Sequence, residues 1–249
     1  FMSREKELRF FIEENNWRRG VHWYRSRFSR EAKVRGESSV GYSLYPIYRN
    51  VPERMHRVVP GTRLIYLIRD PIDRMISHYI HLLAEGRENR PIEEAVTEPG
   101  LNRYLTGSLY AMQIERYLSF FSLSRLLILT LEDLHRDPAN VMRRAFEFLD
   151  VDPSYTSPLF GRVRHRSALK RRKNRAGMVL KALSDSRAAE LFTAQFRGAV
   201  GRVLYLPFSR PIPRPSLSSG LKKQIAIPLQ DDLKALRSLT GRRFRSWQV

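Results

Sequence analysis

The 249 residues carry 45 Lys and Arg against 25 Asp and Glu, no Cys, and 42% hydrophobic side chains. That is one domain's worth of chain with apolar material enough for a core; it excludes a disordered chain, a disulfide framework and Cys-based metal or thiol chemistry, and it points to a reducing compartment. No apolar run approaches the roughly 20 residues of a membrane-spanning helix. The net charge of +20 directs attention to phosphates, sulfates, nucleic acid or anionic surfaces.

In chain order, residues 16–28 place Trp17, Val21, Tyr24 and Phe28 on one helical face. VRGESSVGY (34–42) reads as a short strand running into a polar loop, and PERMHRVVP (52–60) as a short helix with Pro52 in its first turn. The clearest unit is 62–84. TRLIYLI lacks alternation and reads as a strand buried on both faces, and Arg69-Asp70-Pro71 opens a helix with Asp70 as N-cap. Ile72, Met75, Ile76, Tyr79, Leu82 and Leu83 form its apolar stripe. SLYAMQIERYLSFF (108–121) is a helix predicted to turn Leu109, Met112, Ile114, Tyr117 and Phe121 inward. RLLILTL (125–131) is a second buried strand, followed by a helix over 138–149 capped by Asp137. This alternation predicts an α/β fold with a parallel sheet in one domain spanning 1–249.

The segment 161–177 is dense in Arg and Lys without apolar periodicity and reads as a basic loop. Helical periodicity returns over 178–206 and 229–239, with an extended, exposed Pro/Ser-rich connection over 209–220 between them.

Ligands of open α/β sheets sit at the carboxyl ends of strands, beside helix N-termini whose free amides favour anions. Arg69 stands at that place, and Ser77 lies two turns into the helix on the face of Asp70 and Asp73. The two can clasp one phosphate; equally, Arg69 can pair with Asp70 or Asp73 and leave Ser77 as helix filler.

LIYLIRDPIDRMISHY resembles the 3′-phosphate-binding strand–turn–helix of the sulfotransferases that use 3′-phosphoadenosine 5′-phosphosulfate. KELRFF (6–11) with GVHWY, GESSVGY (36–42), and the later helix–strand–helix also resemble that family, nearest to bacterial members and heparan sulfate sulfotransferases. The resemblance implies a P-loop-like architecture in which Arg69 and Ser77 hold the 3′-phosphate. It implies Glu7 as general base toward a hydroxyl acceptor, with Glu5 the competing candidate. Arg166, Ser167, Lys170, Arg171 and Arg172 match the late loop that closes over the nucleotide. Arg9, where close relatives carry His, and Ser38, where they carry Lys, fall on the acceptor side, as does Tyr110. The acceptor implied is a glycan, lipid or small alcohol; no metal, no specific nucleic acid and a bacterial cytoplasmic setting are expected.

The family's Gly-rich, Lys-containing loop for the 5′-phosphosulfate does not occur in the sequence, nor does any G-x-x-x-x-G-K-[ST], which argues against an ATP- or GTP-using enzyme. The expectation is therefore that the sequence starts downstream of that loop and that these residues alone hold half a donor site without transfer activity. His78 and His81, at i and i+3, have no third partner at metal-ligand spacing and read as surface or nucleotide-side residues. The rival class is a basic nucleic-acid-binding or non-catalytic nucleotide-binding protein, for which the charge alone speaks.

Overall fold

The structure, a computed structural model, describes residues 2–3, 5–98, 102–162, 167–174, 176–179 and 207–249. After α1 (Gly20–Arg25) and α2 (Val51–Val58), β1 (Leu64–Ile68) runs into α3 (Pro71–Glu85). Three short helices follow, α4 (Ile92–Thr97), α5 (Arg103–Thr106) and α6 (Tyr110–Leu118), and then β2 (Leu126–Thr130). The second half holds α7 (Leu131–Arg136), α8 (Pro138–Leu149), β3 (Arg171–Lys173), β4 (Ser209–Pro211) and α9 (Ser219–Thr240).

β1 and β2 pair in parallel, Leu64 opposite Leu126 through Ile68 opposite Thr130. The α/β reading therefore holds. The strand-to-helix turn is built from local chemistry, because the Asp70 carboxylate accepts the Asp73 amide at 2.9 Å and Pro71 occupies the first helical position. α3 ends at Gly86 with φ +71°, a left-handed cap that suits a residue lacking Cβ. All six residues of its predicted stripe are buried. Asp137 caps α8 in the same way through Asn140.

The core is assembled around α3 and α9. The whole length of α3 and the first half of α9 pack with α4 and Tyr104, while the second half of α9 meets Ile68, α6, Phe244 and Trp247. Phe10 and Phe11 anchor a separate aromatic cluster with Tyr24 and α2, and α8 covers Leu127 and Leu129 of β2.

Several local expectations are corrected. β1 is not buried on both faces: Ile65 and Leu67 are 42% and 47% exposed, because the helices packed on β1 lie against Tyr66 and Ile68. Segment 34–42 forms no strand. It makes one bridge, Met2 to Gly36, and a 3-10 turn over Val40–Ser43, since its polar side chains bond locally. The helix over 16–28 breaks into a 3-10 turn, Trp17–Arg19, and α1, with Gly20 at φ +78° between them. In α6 the buried polar residue is Gln113, while Met112 is half-buried; the Gln113 carboxamide bonds the Tyr45 N–H, the Tyr45 carbonyl and the Thr106 carbonyl.

Part of the basic loop is a strand, β3, paired antiparallel with β4 in the connection expected to be extended and exposed. That connection also buries Ile212 and Leu217. α9 starts ten residues before the predicted 229, at Ser219, with Pro228 inside it. A mid-helix proline costs about 3 kcal/mol. Burial of Leu221, Ile225 and Leu229, each contributing about 1.5–3 kcal/mol, offsets that cost. The helix predicted over 178–206 falls, from residue 180 on, outside the described residues.

Candidate functional site

The carboxyl ends of β1 and β2 converge on Arg69 and Asp70. The Tyr110 hydroxyl donates to the Arg69 carbonyl at 2.8 Å, and the Asp70 amide donates to Glu132 Oε1 at 2.8 Å from the start of α7. From the chain terminus the Gln248 amide donates to Asp70 Oδ2 at 2.6 Å. Arg69 and Asp70 are thus held from α6, α7 and the C-terminal tail. Tyr110, expected on the acceptor side, is instead buried beneath Arg69 with its hydroxyl committed to that backbone.

The Arg69 guanidinium reaches Asp73 at 3.2 Å, and Arg214 reaches the other oxygen of the same carboxylate at 2.5 Å. Ser77 lies one turn beyond Asp73 on that helix face. Two guanidiniums share the Asp73 carboxylate at the N-terminus of α3, beside the Asp70 carboxylate that caps the helix. The Arg69 Nε is buried and has no hydrogen-bond partner, an arrangement that costs free energy unless a further acceptor completes it. Arg214, distant in sequence, was not among the predicted ligands; only its place in a Pro-rich run marks it.

The next helix turn, Arg74, points away from this anion site into protein. Its guanidinium bonds the Tyr104 carbonyl at 3.2 Å and the Ser108 hydroxyl at 3.3 Å, and burial holds its pKa below the ordinary arginine value. Farther along, His78 is pushed down to about 3, by burial first and then by Arg74 and Arg103, so it stays a neutral packed ring against Tyr104. His81 joins a polar chain, with Nδ1 at 2.6 Å from Lys170 Nζ and Nε2 at 3.3 Å from Glu85. Burial and the Lys170 charge lower its pKa, whereas Glu85 and, more distantly, Glu7 raise it. The neutral ring accepts at Nδ1 from the Lys170 ammonium and donates at Nε2 to Glu85.

Lys170 thus touches His81 directly, whereas Glu7 acts on it through its charge alone. Glu7 is paired with Arg9 at 2.9 Å, and both residues have positive φ, +57° and +47°, which is uncommon for side-chain-bearing residues. Glu5, the competing base, is turned to Arg27 at 2.9 Å. Ser38 is exposed, while its neighbour Ser39 is buried. In the late loop Ser167 opens a 3-10 turn, Arg172 is exposed, and Arg171 bonds Ser209 Oγ at 2.9 Å and Ser209 O at 2.6 Å, bracing β3 on β4. Arg166 lies outside the described residues. Among the described residues no three His, Asp or Glu side chains gather as a metal site, and no helix is long and apolar enough to cross a membrane.

This α/β unit offers guanidiniums and a helix N-terminus at one strand end, with a half-buried serine two turns along the helix, a set of donors that suits an anion. Comparison with known proteins specifies it further. The sequence model of the sulfotransferase domain matches residues 48–191, and the chain belongs to that family. Among curated relatives, the bifunctional heparan sulfate N-deacetylase/N-sulfotransferase 4 of Mus musculus is 33% identical over 165 residues, 60% of this chain and 19% of that protein. The heparan sulfate glucosamine 3-O-sulfotransferase 5 of Homo sapiens is 27% identical over 161 residues, 59% of this chain and 45% of that protein. The chain thus spans less than half the length of either relative. A crystal structure of a sulfotransferase from Alicyclobacillus acidocaldarius shares the fold, with TM-score 0.67 and 21% identity, covering all of this chain and 88% of the other.

Proposed function

We propose that the chain binds 3′-phosphoadenosine 5′-phosphosulfate and directs its sulfuryl group to a hydroxyl acceptor. The observation that carries this reading is the pair Arg69 and Arg214 on Asp73, with the buried, unpartnered Arg69 Nε beside them. A phosphate arriving there meets a guanidinium nitrogen with no other acceptor, a second guanidinium, and the Ser77 hydroxyl one turn on. These are hard, multidentate donors suited to a phosphate dianion. The donor, when bound, supplies an activated sulfur with phosphoadenosine phosphate as its leaving group.

The chain's part is to position and to move one proton. Glu7 accepts the proton of the acceptor hydroxyl as that oxygen forms its bond to sulfur and the sulfur–phosphate oxygen bond breaks. Lys170, fixed by His81, supplies a cation for the negative charge on the transferring group. The names of the curated relatives favour a glycan acceptor, and the net charge of +20 suits an anionic one.

The test is isothermal titration of the chain with adenosine 3′,5′-bisphosphate and adenosine 5′-phosphate at two ionic strengths. A preference for the 3′-phosphorylated nucleotide at both supports the reading. Equal affinity for the two, together with oligonucleotide binding that collapses with salt, would replace it with nucleic-acid binding.

A further inference from the structure

We infer that Glu37 is a positioning residue that holds the Glu7 turn in its left-handed conformation through the hydroxyls of Ser39 and Tyr42. The inference rests on the reading of Glu7 as the proton acceptor. Its basis is a set of four hydrogen bonds, two from hydroxyls to one carboxylate and two from backbone amides to those hydroxyls. Ser39 Oγ donates to Glu37 Oε2 at 3.1 Å, and the Tyr42 hydroxyl donates to Glu37 Oε1 at 2.9 Å. The same two oxygens receive backbone amides of the Glu7 segment. The Arg9 N–H donates to Ser39 Oγ at 3.0 Å, and the Phe11 N–H donates to the Tyr42 hydroxyl at 3.4 Å.

A hydroxyl has one proton and two lone pairs. With its proton committed to an acceptor, it presents only lone pairs to any other neighbour. Glu37 therefore fixes the polarity of both hydroxyls and turns both into acceptors facing residues 9 and 11. Without the carboxylate either hydroxyl can rotate, and the two amides lose their partners.

What those amides secure is strained. Glu7 and Arg9 sit at φ +57° and +47°, a conformation costing about 1 kcal/mol or more per side-chain-bearing residue. Leu8, Phe10, Phe11 and Ile12, which alternate around and beyond the turn, are buried, and the Asn16 carboxamide holds the Leu8 carbonyl at 2.8 Å. Those contacts pin the apolar side of the segment. The Glu37 network pins its backbone donors, so the side chains of Glu7 and Arg9, which cannot bury, remain on the open side. Tyr24 lies beside the same carboxylate, and burial raises the Glu37 pKa while these hydroxyls lower it. No Lys or Arg pairs with Glu37 among the described residues. Hydroxyl donors alone answer a half-buried carboxylate here, as an orienting role requires.

The Glu-x-Ser-x-x-Tyr spacing of 37–42 thereby acquires a physical meaning: one acceptor and two hydroxyl relays that reach residues 9 and 11.

The experiment follows amide hydrogen exchange residue by residue, by NMR on the chain, together with kcat and KM for sulfuryl transfer by the full-length protein carrying the same substitution. Ser39→Ala is expected to speed exchange at Arg9 about tenfold and leave Phe11 within about twofold, the size of one lost hydrogen bond. Tyr42→Phe should do the converse. Glu37→Ala should release both, and Glu37→Gln, in which an NH2 donor replaces one of the two accepting oxygens, only one. In each variant kcat should fall while the donor KM stays within about twofold, and amides in the buried stretch of α3 should keep their protection. Unchanged exchange at Arg9 and Phe11 in Ser39→Ala and Tyr42→Phe overturns the inference. So does faster exchange spread equally over α3, which marks general destabilisation, and so does released exchange with unaltered kcat. Failure of the underlying reading shows separately, as retained turnover in Glu7→Gln.

Discussion

Replacing Arg69 by Ala tests the anion site most directly. The guanidinium has one nitrogen on Asp73 and a buried Nε without a partner, so a phosphate stands to gain two charge-assisted hydrogen bonds from it. Such bonds contribute about 1.5–3 kcal/mol each, and some of that is spent in loosening Arg69 from Asp73, a pair that is roughly one-quarter exposed and worth about 0–1 kcal/mol. The net expected loss is about 2–6 kcal/mol, a drop of about thirtyfold or more in the preference for adenosine 3′,5′-bisphosphate over adenosine 5′-phosphate. Asp73→Asn should move the ratio the other way, because it frees Arg69 and Arg214 together. Titration calorimetry of both variants at one ionic strength, with thermal unfolding as a control, gives the ratio. A preference that survives in Arg69→Ala within about twofold, in a protein that still folds, refutes the assignment of the 3′-phosphate to this strand end.

In the full-length protein Glu7→Gln should reduce sulfuryl transfer by about 10²–10⁴-fold with donor affinity retained, whereas Glu5→Gln, which only breaks the pair with Arg27, should stay near wild type in the same assay. Glu88 is buried and takes donors from Arg90 and the Tyr104 hydroxyl, which hold its carboxyl down to about 2 against an ordinary 4.5. A lowered carboxyl pKa stabilises the fold above the unfolded value, and that contribution is lost as pH falls from about 4.5 toward 2. The shift corresponds to at most about 3 kcal/mol, reduced to about 1–2 by solvent at the 37% exposed Arg90. Urea unfolding of Glu88→Gln should show that deficit at pH 7 and roughly half of it at pH 3; a deficit independent of pH would remove the electrostatic account. Asp232 in α9 accepts the Ala111 and Met112 amides, capping α6 from a distance, at 3.0 and 2.9 Å. Asp232→Ala should cost about 1–2 kcal/mol, read as a lowered Tm, and a neutral substitution would show that α6 needs no such cap.

Whatever depends on neighbours within a few residues was legible in the chain before any folding. Asp70 and Pro71 start α3 because capping and a preset φ act over three residues, and the stripe from Ile72 to Leu83 is a matter of helical period. The parallel pairing of β1 with β2 followed from strands separated by helical connections, and Arg69 with Ser77 could be marked from spacing along that one unit. Non-local facts were not legible. Pro228 hid the first half of α9, since its local cost is plain in the sequence while the burial that outweighs it exists only against α3. Exposure of Ile65 and Leu67 depends on which helices reach β1, and an unbroken apolar run cannot report that.

The site divides along the same line. Arg69, Ser77 and Glu7 could be named as candidates because their motifs are contiguous. Arg214 meets Asp73 across 141 positions, Lys170 meets His81 across 89, and Ser39 meets Arg9 across 30. A guanidinium, an ammonium or a hydroxyl carries the same chemistry wherever it stands in the chain; only tertiary packing decides which oxygen or nitrogen it faces, and hence whether it braces the fold or serves the site.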